Sequence, residues 1–131
     1  MFGFNKKKKK QDLKQEVEPL SSEEVVEIQE KIERLAQQIK SSDSTDKPKL
    51  YENLGAMYVK LGKSDEAIEA YENSLKVKEQ FGDAYNALLN LYEEKRKAAA
   101  IAKNDDEIQK WVTKTDALLD MSKRVLRSSM F

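Results

Sequence analysis

The chain of 131 residues contains neither cysteine nor histidine. Their absence excludes disulfide frameworks, thiol nucleophiles, zinc sites built from Cys and His, and histidine general bases. Glycine and proline are scarce, with 4 and 2 residues, and no apolar run approaches the roughly 20 residues of a membrane span. Charged residues make up 37% of the chain and apolar residues 39%, which is typical of helices with long solvated faces. We therefore predict an all-α protein that is not an enzyme and needs no cofactor or metal.

Charge is informative only locally, because Lys plus Arg and Asp plus Glu both number 24. Residues 1–15 contain six Lys and one Asp, and residues 16–30 contain six Glu and no basic residue. The amino-terminal lysines are not followed by the apolar run of an export signal, so we expect the protein in the cytoplasm. We predict a basic, disordered tail over residues 1–19 and one helical domain over residues 20–131.

The basic tail combines five consecutive lysines with two phenylalanines, and three roles are open for it. It could attach to an anionic membrane at the inner face, because each lysine near such a surface contributes about 1 kcal/mol. It could instead contact the phosphate backbone of RNA or the ribosome without sequence specificity, or serve only as a solubilising tail. The residues concerned are Phe2, Phe4, Lys6, Lys7, Lys8, Lys9 and Lys10.

A first helix is predicted over residues 22–40. Ser21 and Glu24 are spaced as a capping box, in which each side chain accepts a hydrogen bond from the backbone of the other residue. An apolar row at spacings of three and four follows, as expected for one face of a helix: Val25, Ile28, Ile32, Leu35 and Ile39.

Two further helices are predicted from residues that are typical of helix ends. Pro48 fits the first turn of a second helix, where its missing N–H costs nothing, and Gly62 marks that helix's end. Ser64 is the expected cap of a third helix, which Phe81-Gly82 closes.

A fourth helix is predicted to start at Asp83 and to continue through the alanine-rich segment to Ala102. Asn104 is the expected cap of a fifth helix over residues 105–127, in which we assign Trp111 to the core. Three basic residues near its end read as a solvated helix terminus: Lys123, Arg124 and Arg127. Its apolar residues are Ile108, Trp111, Val112, Leu118, Leu119, Val125 and Leu126.

The sequence repeats with a period of 34 residues, which pairs Tyr51 with Tyr85, Leu54 with Leu88 and Tyr58 with Tyr92. This is the period of the tetratricopeptide helix-turn-helix. The first copy resembles that family in its leading aromatic, in Leu54-Gly55, in the small Ala67 and in the bulky Tyr71. The resemblance implies an α-solenoid of about five antiparallel helices, in which Tyr71 fills the gap between two helices that approach closely at Ala67. Ser74 takes the place of a usual alanine.

The second copy departs from the family pattern. Leu89 replaces the glycine, Glu107 falls at the place of Ala67, and the second helix is displaced by six inserted residues. The resemblance therefore covers residues 48–81 closely and residues 82–127 loosely, with an extended second hairpin. We interpret helices 22–40 and 105–127 as amino-terminal and carboxy-terminal caps, because two repeats without such neighbours would bury only a small core.

The resemblance implies an adaptor that binds a protein or peptide in the groove lined by the first helix of each copy. Transferring the family's groove positions gives Lys49, Glu52, Asn53, Ala56, Lys60, Asp83, Asn86, Ala87, Asn90 and Glu94. The three asparagines matter most, because an amide both donates to and accepts from a peptide backbone. The alternative is that all ten are ordinary solvated positions.

The residues at the groove positions limit which charge the expected partner segment can carry. One tetratricopeptide subclass grips a terminal carboxylate with a Lys and an Asn, but Glu52 and Ala56 occupy those places here. Because Glu52 would repel a carboxylate, we expect a neutral or basic segment instead. A homo-oligomeric structural subunit that pairs through its first or fifth helix remains a further alternative.

Overall fold

Five α-helices follow one another in the computed structural model, which describes residues 19–43 and 45–130. They are α1 (Ser22–Ser41), α2 (Lys47–Lys60), α3 (Ser64–Val77), α4 (Asp83–Ile101) and α5 (Asp105–Met130). Each helix packs on the next one along the chain, and α2 also contacts α4. The described part contains no strand, so the all-α prediction and the solenoid-like order of helices are confirmed.

The tail predicted to contact lipid or phosphate, Phe2, Phe4 and Lys6 to Lys10, lies outside the described residues. Its three alternative roles therefore stay predictions. Across residues 19–43 and 45–130, no helix combines the length and apolarity that a bilayer crossing requires.

Local capping sets several of the helix boundaries, as the sequence predicts. The Glu24 N–H donates to Ser21 Oγ at 3.1 Å, and the Ser21 N–H donates to Glu24 Oε1 at 2.9 Å. Gly62 follows α2 with a φ of +73°, a conformation that glycine adopts without strain. At the start of α5 the Glu107 N–H donates to Asn104 Oδ1 at 3.1 Å. These three predictions are confirmed.

Three predicted boundaries are wrong. Ser64 is the first helical residue of α3, not its cap, and the preceding Lys63 makes no side-chain capping bond. α3 ends at Val77, so Phe81 and Gly82 belong to the link before α4 and do not close α3. α5 continues to Met130, three residues beyond its predicted end.

The first hairpin is held by one close approach between α2 and α3. Gly55 faces the ring of Tyr71 so closely that an added Cβ would lie 2.8 Å from it. Ala67 is fully buried beside this contact. Ser74, also fully buried, donates from Oγ to the Pro48 carbonyl oxygen at 2.8 Å. A small residue on each helix therefore allows the tight packing that the family resemblance implies.

The core continues from this hairpin into the second one. Trp111 is buried there, as predicted, its ring 5.8 Å from that of Tyr92, and its indole N–H donates to Glu107. Leu89, which stands where the first hairpin has glycine, packs against the core. The buried members of the cluster are Ala67, Ile68, Tyr71, Leu75, Ala84, Leu88, Leu91, Tyr92, Trp111, Leu118 and Met121.

The second hairpin is longer than the first, as its inserted residues predict. α4 and α5 have 19 and 26 residues, whereas α2 and α3 have 14 each.

Replacing Gly55 by alanine tests the close approach. Alanine is the better helix former by about 1 kcal/mol, but overpacking against a buried ring costs about 1–3 kcal/mol. Gly55→Ala should therefore lower the free energy of unfolding, measured by urea denaturation. In a Tyr71→Leu background, where the ring is gone, the same change should raise it. The same sign in both backgrounds would contradict the contact.

Replacing Ser74 by the family's usual alanine should destabilise this chain. The change removes the buried hydrogen bond to Pro48, which is worth about 1 kcal/mol. Ser129→Ala is the matched control, because Ser129 donates to the Leu126 carbonyl at an exposed position. Equal free energies of unfolding for Ser74→Ala and the unmodified chain would show that the buried bond contributes nothing.

Candidate functional site

The inner surface of the helix array is lined by α2 and α4. These two helices contact each other directly, whereas within the described residues the backbones of α3 and α5 do not approach closely. Because one pair of helices touches and the other pair stands apart, the array curves with α2 and α4 on its inner side. The ten predicted groove residues all belong to these two helices.

A cleft separates α3 from α5 on the outer side, and ion pairs bridge it. Its volume is about 360 Å³, with Leu75, Leu88 and Leu118 in its lining. Lys114 Nζ lies 2.9 Å from Glu72 Oε2, and Arg124 Nη2 lies 2.7 Å from Glu79 Oε2. Two ion pairs therefore span the cleft between the outer helices.

Two side chains in this cleft behave differently from what the sequence indicates. Arg124 is exposed near the end of α5, as predicted, but it also holds Glu79 with both Nε and Nη2, a pairing that the sequence does not indicate. The Arg124 hydrogen bond lowers the pKa of Glu79. Tyr92 donates its phenol to Glu72, which also accepts from Lys114. Burial, followed by the Glu72 interaction, raises the pKa of Tyr92.

Glu52 is the least accessible charge among the predicted groove residues of α2. Its side chain is only 11% exposed, and its Oε1 lies 3.6 Å from Lys49 Nζ on the same helix. Lys49 and Lys60 are exposed, and Ala56 is half-buried. The Glu52 carboxylate is therefore largely shielded from solvent, while the two groove lysines of α2, Lys49 and Lys60, are exposed.

The phenol of Tyr71 is influenced electrostatically by residues of both inner helices, α2 and α4. Burial raises the pKa of its phenol, and the charges of Asp83 and then of Glu52 raise the pKa further. The carboxylates of Glu52 in α2 and Asp83 in α4 therefore both act electrostatically on this hydroxyl. The sequence identifies Tyr71 as a packing residue only, because its proximity to Asp83 depends on how the two hairpins stack.

The remaining groove residues of α4 form its solvent-facing side. Asn86, Asn90 and Glu94 are exposed, and Ala87 is half-buried against the core. The three polar side chains are thus available to a ligand, and the small Ala87 leaves room between them.

Asn53 extends the site in a direction that the sequence does not indicate. It lines a depression of about 250 Å³ between α2 and α1, together with Lys31, Arg34, Leu35, Gln38 and Met57. From the sequence α1 is interpreted as a cap, and its basic residues are therefore not predicted as part of the site. Their spacing of three was the available signal, since Lys31 and Arg34 share one side of α1 beside the apolar row.

The electrostatics of the inner surface therefore change along it. Two basic residues, Lys31 and Arg34, lie at the α1–α2 end, and two carboxylates, Glu52 and Asp83, lie at the α2–α4 end. Within the described part of the chain, no group of three acidic side chains is arranged to hold a metal ion. This arrangement can recognise charge and hydrogen-bonding groups of a ligand.

The raised pKa values of Tyr71 and Tyr92 predict a loss of stability in alkali. A group whose pKa is raised by folding stabilises the folded chain below its unfolded value, about 10 for tyrosine, and this contribution is lost as the pH rises through the folded value. The free energy of unfolding should therefore fall above about pH 10. Urea denaturation across that range measures it.

Tyr71→Phe combined with Tyr92→Phe is the control for alkaline unfolding, because phenylalanine cannot ionise. The double variant should show a shallower decline than the unmodified chain. An identical decline in both proteins would show that these two phenols do not contribute to it.

Comparison with known proteins agrees with the geometry of the first hairpin. The family model described as "Tetratricopeptide repeat" matches residues 48–81, which comprise α2, α3 and most of the link to α4. The match coincides with the copy that resembles the family closely, and it stops before the divergent second copy. No curated protein and no solved structure gives a significant match to the chain.

Proposed function

The chain is a tetratricopeptide-repeat protein whose matching repeat occupies residues 48–81, and from this premise we propose that it is a non-enzymatic adaptor. Its ligand is an extended segment of a partner protein, bound along the inner surface of α2 and α4. The observation that carries the proposal is that the inner helices α2 and α4 contact each other while the backbones of α3 and α5 stand apart within the described residues.

The charges of this surface define the chemistry of the partner segment. A basic side chain is favoured near Glu52 and Asp83, because both carboxylates attract a positive charge. An acidic side chain is favoured beside Lys31 and Arg34, in the depression between α1 and α2. The bound segment therefore carries an acidic residue towards α1 and a basic residue towards α4.

Amide side chains supply the contacts that do not depend on the partner's sequence. Asn53, Asn86 and Asn90 each offer a donor and an acceptor to a peptide backbone. Ala56 and Ala87 are small, so the segment can approach the helices between these amides. The charged residues of the groove thus select the sequence of the partner segment, and the asparagines bind its backbone.

Selection from a displayed peptide library on the immobilised full chain tests this proposal. We expect enriched peptides that contain one acidic and one basic residue. Asn53→Ala combined with Asn90→Ala should weaken binding of a selected peptide by about 10-fold or more, since each lost hydrogen bond costs about 0.5–1.5 kcal/mol. Isothermal titration calorimetry measures the affinity.

Gln29→Ala combined with Gln109→Ala is the matched control, because it removes two exposed amides from α1 and α5. This variant should bind the peptide as the unmodified chain does. If the library yields no enriched sequence, or if the asparagine variant binds as tightly as the control, the groove positions are ordinary solvated residues and the proposal is wrong.

The charge requirement has its own test in Glu52→Gln combined with Asp83→Asn. This variant keeps the side-chain shapes and removes both carboxylate charges. It should weaken a selected peptide that has a basic residue and leave unchanged a version in which that residue is replaced by glutamine. Equal weakening of both peptides would show that the carboxylates do not recognise charge.

A further inference from the structure

α5 has a second apolar row outside its packed face. Trp111, Leu118 and Met121 point into the core, whereas Leu119 is 41% exposed and Leu126 is 51% exposed. These two leucines are seven residues apart and lie on one side of the helix. The half-buried Ile108 and Val112 continue the same row towards the start of α5.

Comparison with α3 explains why this row is exposed. α3 lies between α2 and α4 and buries six of its residues. Within the described chain the backbone of α5 approaches only α4, and α5 reaches α3 and the link after it through the side-chain ion pairs of the outer cleft. The Leu119 and Leu126 row is thus the surface where a further helix would pack, and terminal units of helical arrays usually present a polar face there.

The charges beside the row identify the occupant as a second copy of this chain. Asp116 and Asp120 border its first half, and Lys123 and Arg127 border its second half. In the described residues none of the four forms an ion pair within 4 Å, whereas Arg124 and Lys114 on the opposite flank are paired across the outer cleft with Glu79 and Glu72. Two acidic residues therefore flank one half of the row, and two basic residues flank the other half.

We propose that the protein forms a two-fold dimer through antiparallel pairing of α5. A symmetry axis crossing the helix midway between Asp120 and Lys123 places Asp120 opposite Lys123 of the partner subunit, and Asp116 opposite Arg127 of the partner subunit. Symmetry repeats both pairs, which gives four complementary contacts. A parallel two-fold pairing would place this charged flank against the other flank of the partner helix, and none of the four pairs would form.

The same axis brings the exposed leucines into contact. Leu126 then lies about two residues, or 3 Å, along the helix from Leu119 of the partner subunit. The four leucines form an apolar centre that the four charge pairs flank, which is the usual arrangement of a protein interface. The dimer leaves α2 and α4 uncovered, so each subunit keeps its inner surface for a partner segment.

Sedimentation equilibrium of the full chain over micromolar to millimolar concentrations tests the dimer. The unmodified chain should show a monomer–dimer equilibrium. Leu119→Glu combined with Leu126→Glu should weaken dimerisation by about 100-fold, because two central apolar contacts are lost. Val26→Glu combined with Val59→Glu is the matched control, since both valines are exposed on other helices, and it should dimerise normally.

Charge reversal tests the antiparallel register. One variant carries Asp116→Lys and Asp120→Lys, and a second carries Lys123→Asp and Arg127→Asp. Each alone should dimerise about 10-fold more weakly, because its borders have a single sign. An equimolar mixture should form a heterodimer.

Three results would overturn the proposal. The first is a monomeric unmodified chain over the whole concentration range. The second is a valine variant that loses the dimer while the leucine variant keeps it. The third is a mixture of charge variants that does not associate. Circular dichroism of each variant confirms that its helices are intact, and the mixed sample tests the interface without apolar substitutions.

Discussion

The packing of the Tyr71 ring on Gly55 determines how the rest of the molecule is arranged. Because Gly55 has no side chain, α2 and α3 approach until the ring covers the α2 backbone. The phenol then extends to where α4 begins, within the electrostatic influence of Asp83 and Glu52. One contact thus sets the spacing of the first hairpin and also positions the phenol where carboxylates of both inner helices raise its pKa.

The second hairpin shows what happens without this contact. Leu89 stands at the equivalent position and the core there is filled by larger side chains, with the Trp111 ring tilted against that of Tyr92. α5 stays clear of α3, and the cleft between them is bridged by Lys114 with Glu72 and by Arg124 with Glu79. Contact on the inner side and separation on the outer side produce the curvature that creates a groove.

Local sequence signals predict much of this fold. The capping box at Ser21, the left-handed Gly62 and the Asn104 cap each involve residues at most four apart, so short-range chemistry determines them. The family resemblance adds the Gly55 and Tyr71 positions. Ser64 fails as a cap because α3 begins one residue earlier than a serine cap requires, with Lys63 as the flanking residue.

Long-range relations are what the sequence does not predict. The Arg124–Glu79 pair joins residues 45 apart, and its formation depends on the angle between two hairpins. The contribution of Lys31 and Arg34 to the inner surface depends on how α1 docks on α2. The sequence also does not predict that Leu119 and Leu126 are exposed. Apolar periodicity shows that a helix face favours burial, but it does not show whether the chain itself supplies a helix to cover that face.

The central claim is that α2 and α4 form a docking surface for a partner segment. Hydrogen–deuterium exchange of the full chain, with and without a library-selected peptide, tests this claim most directly. The account predicts that the peptide slows exchange most in α2 and α4, with a smaller effect on the side of α1 that faces them. Slowing confined to α3 and α5 would place the ligand on the outer side and contradict the account.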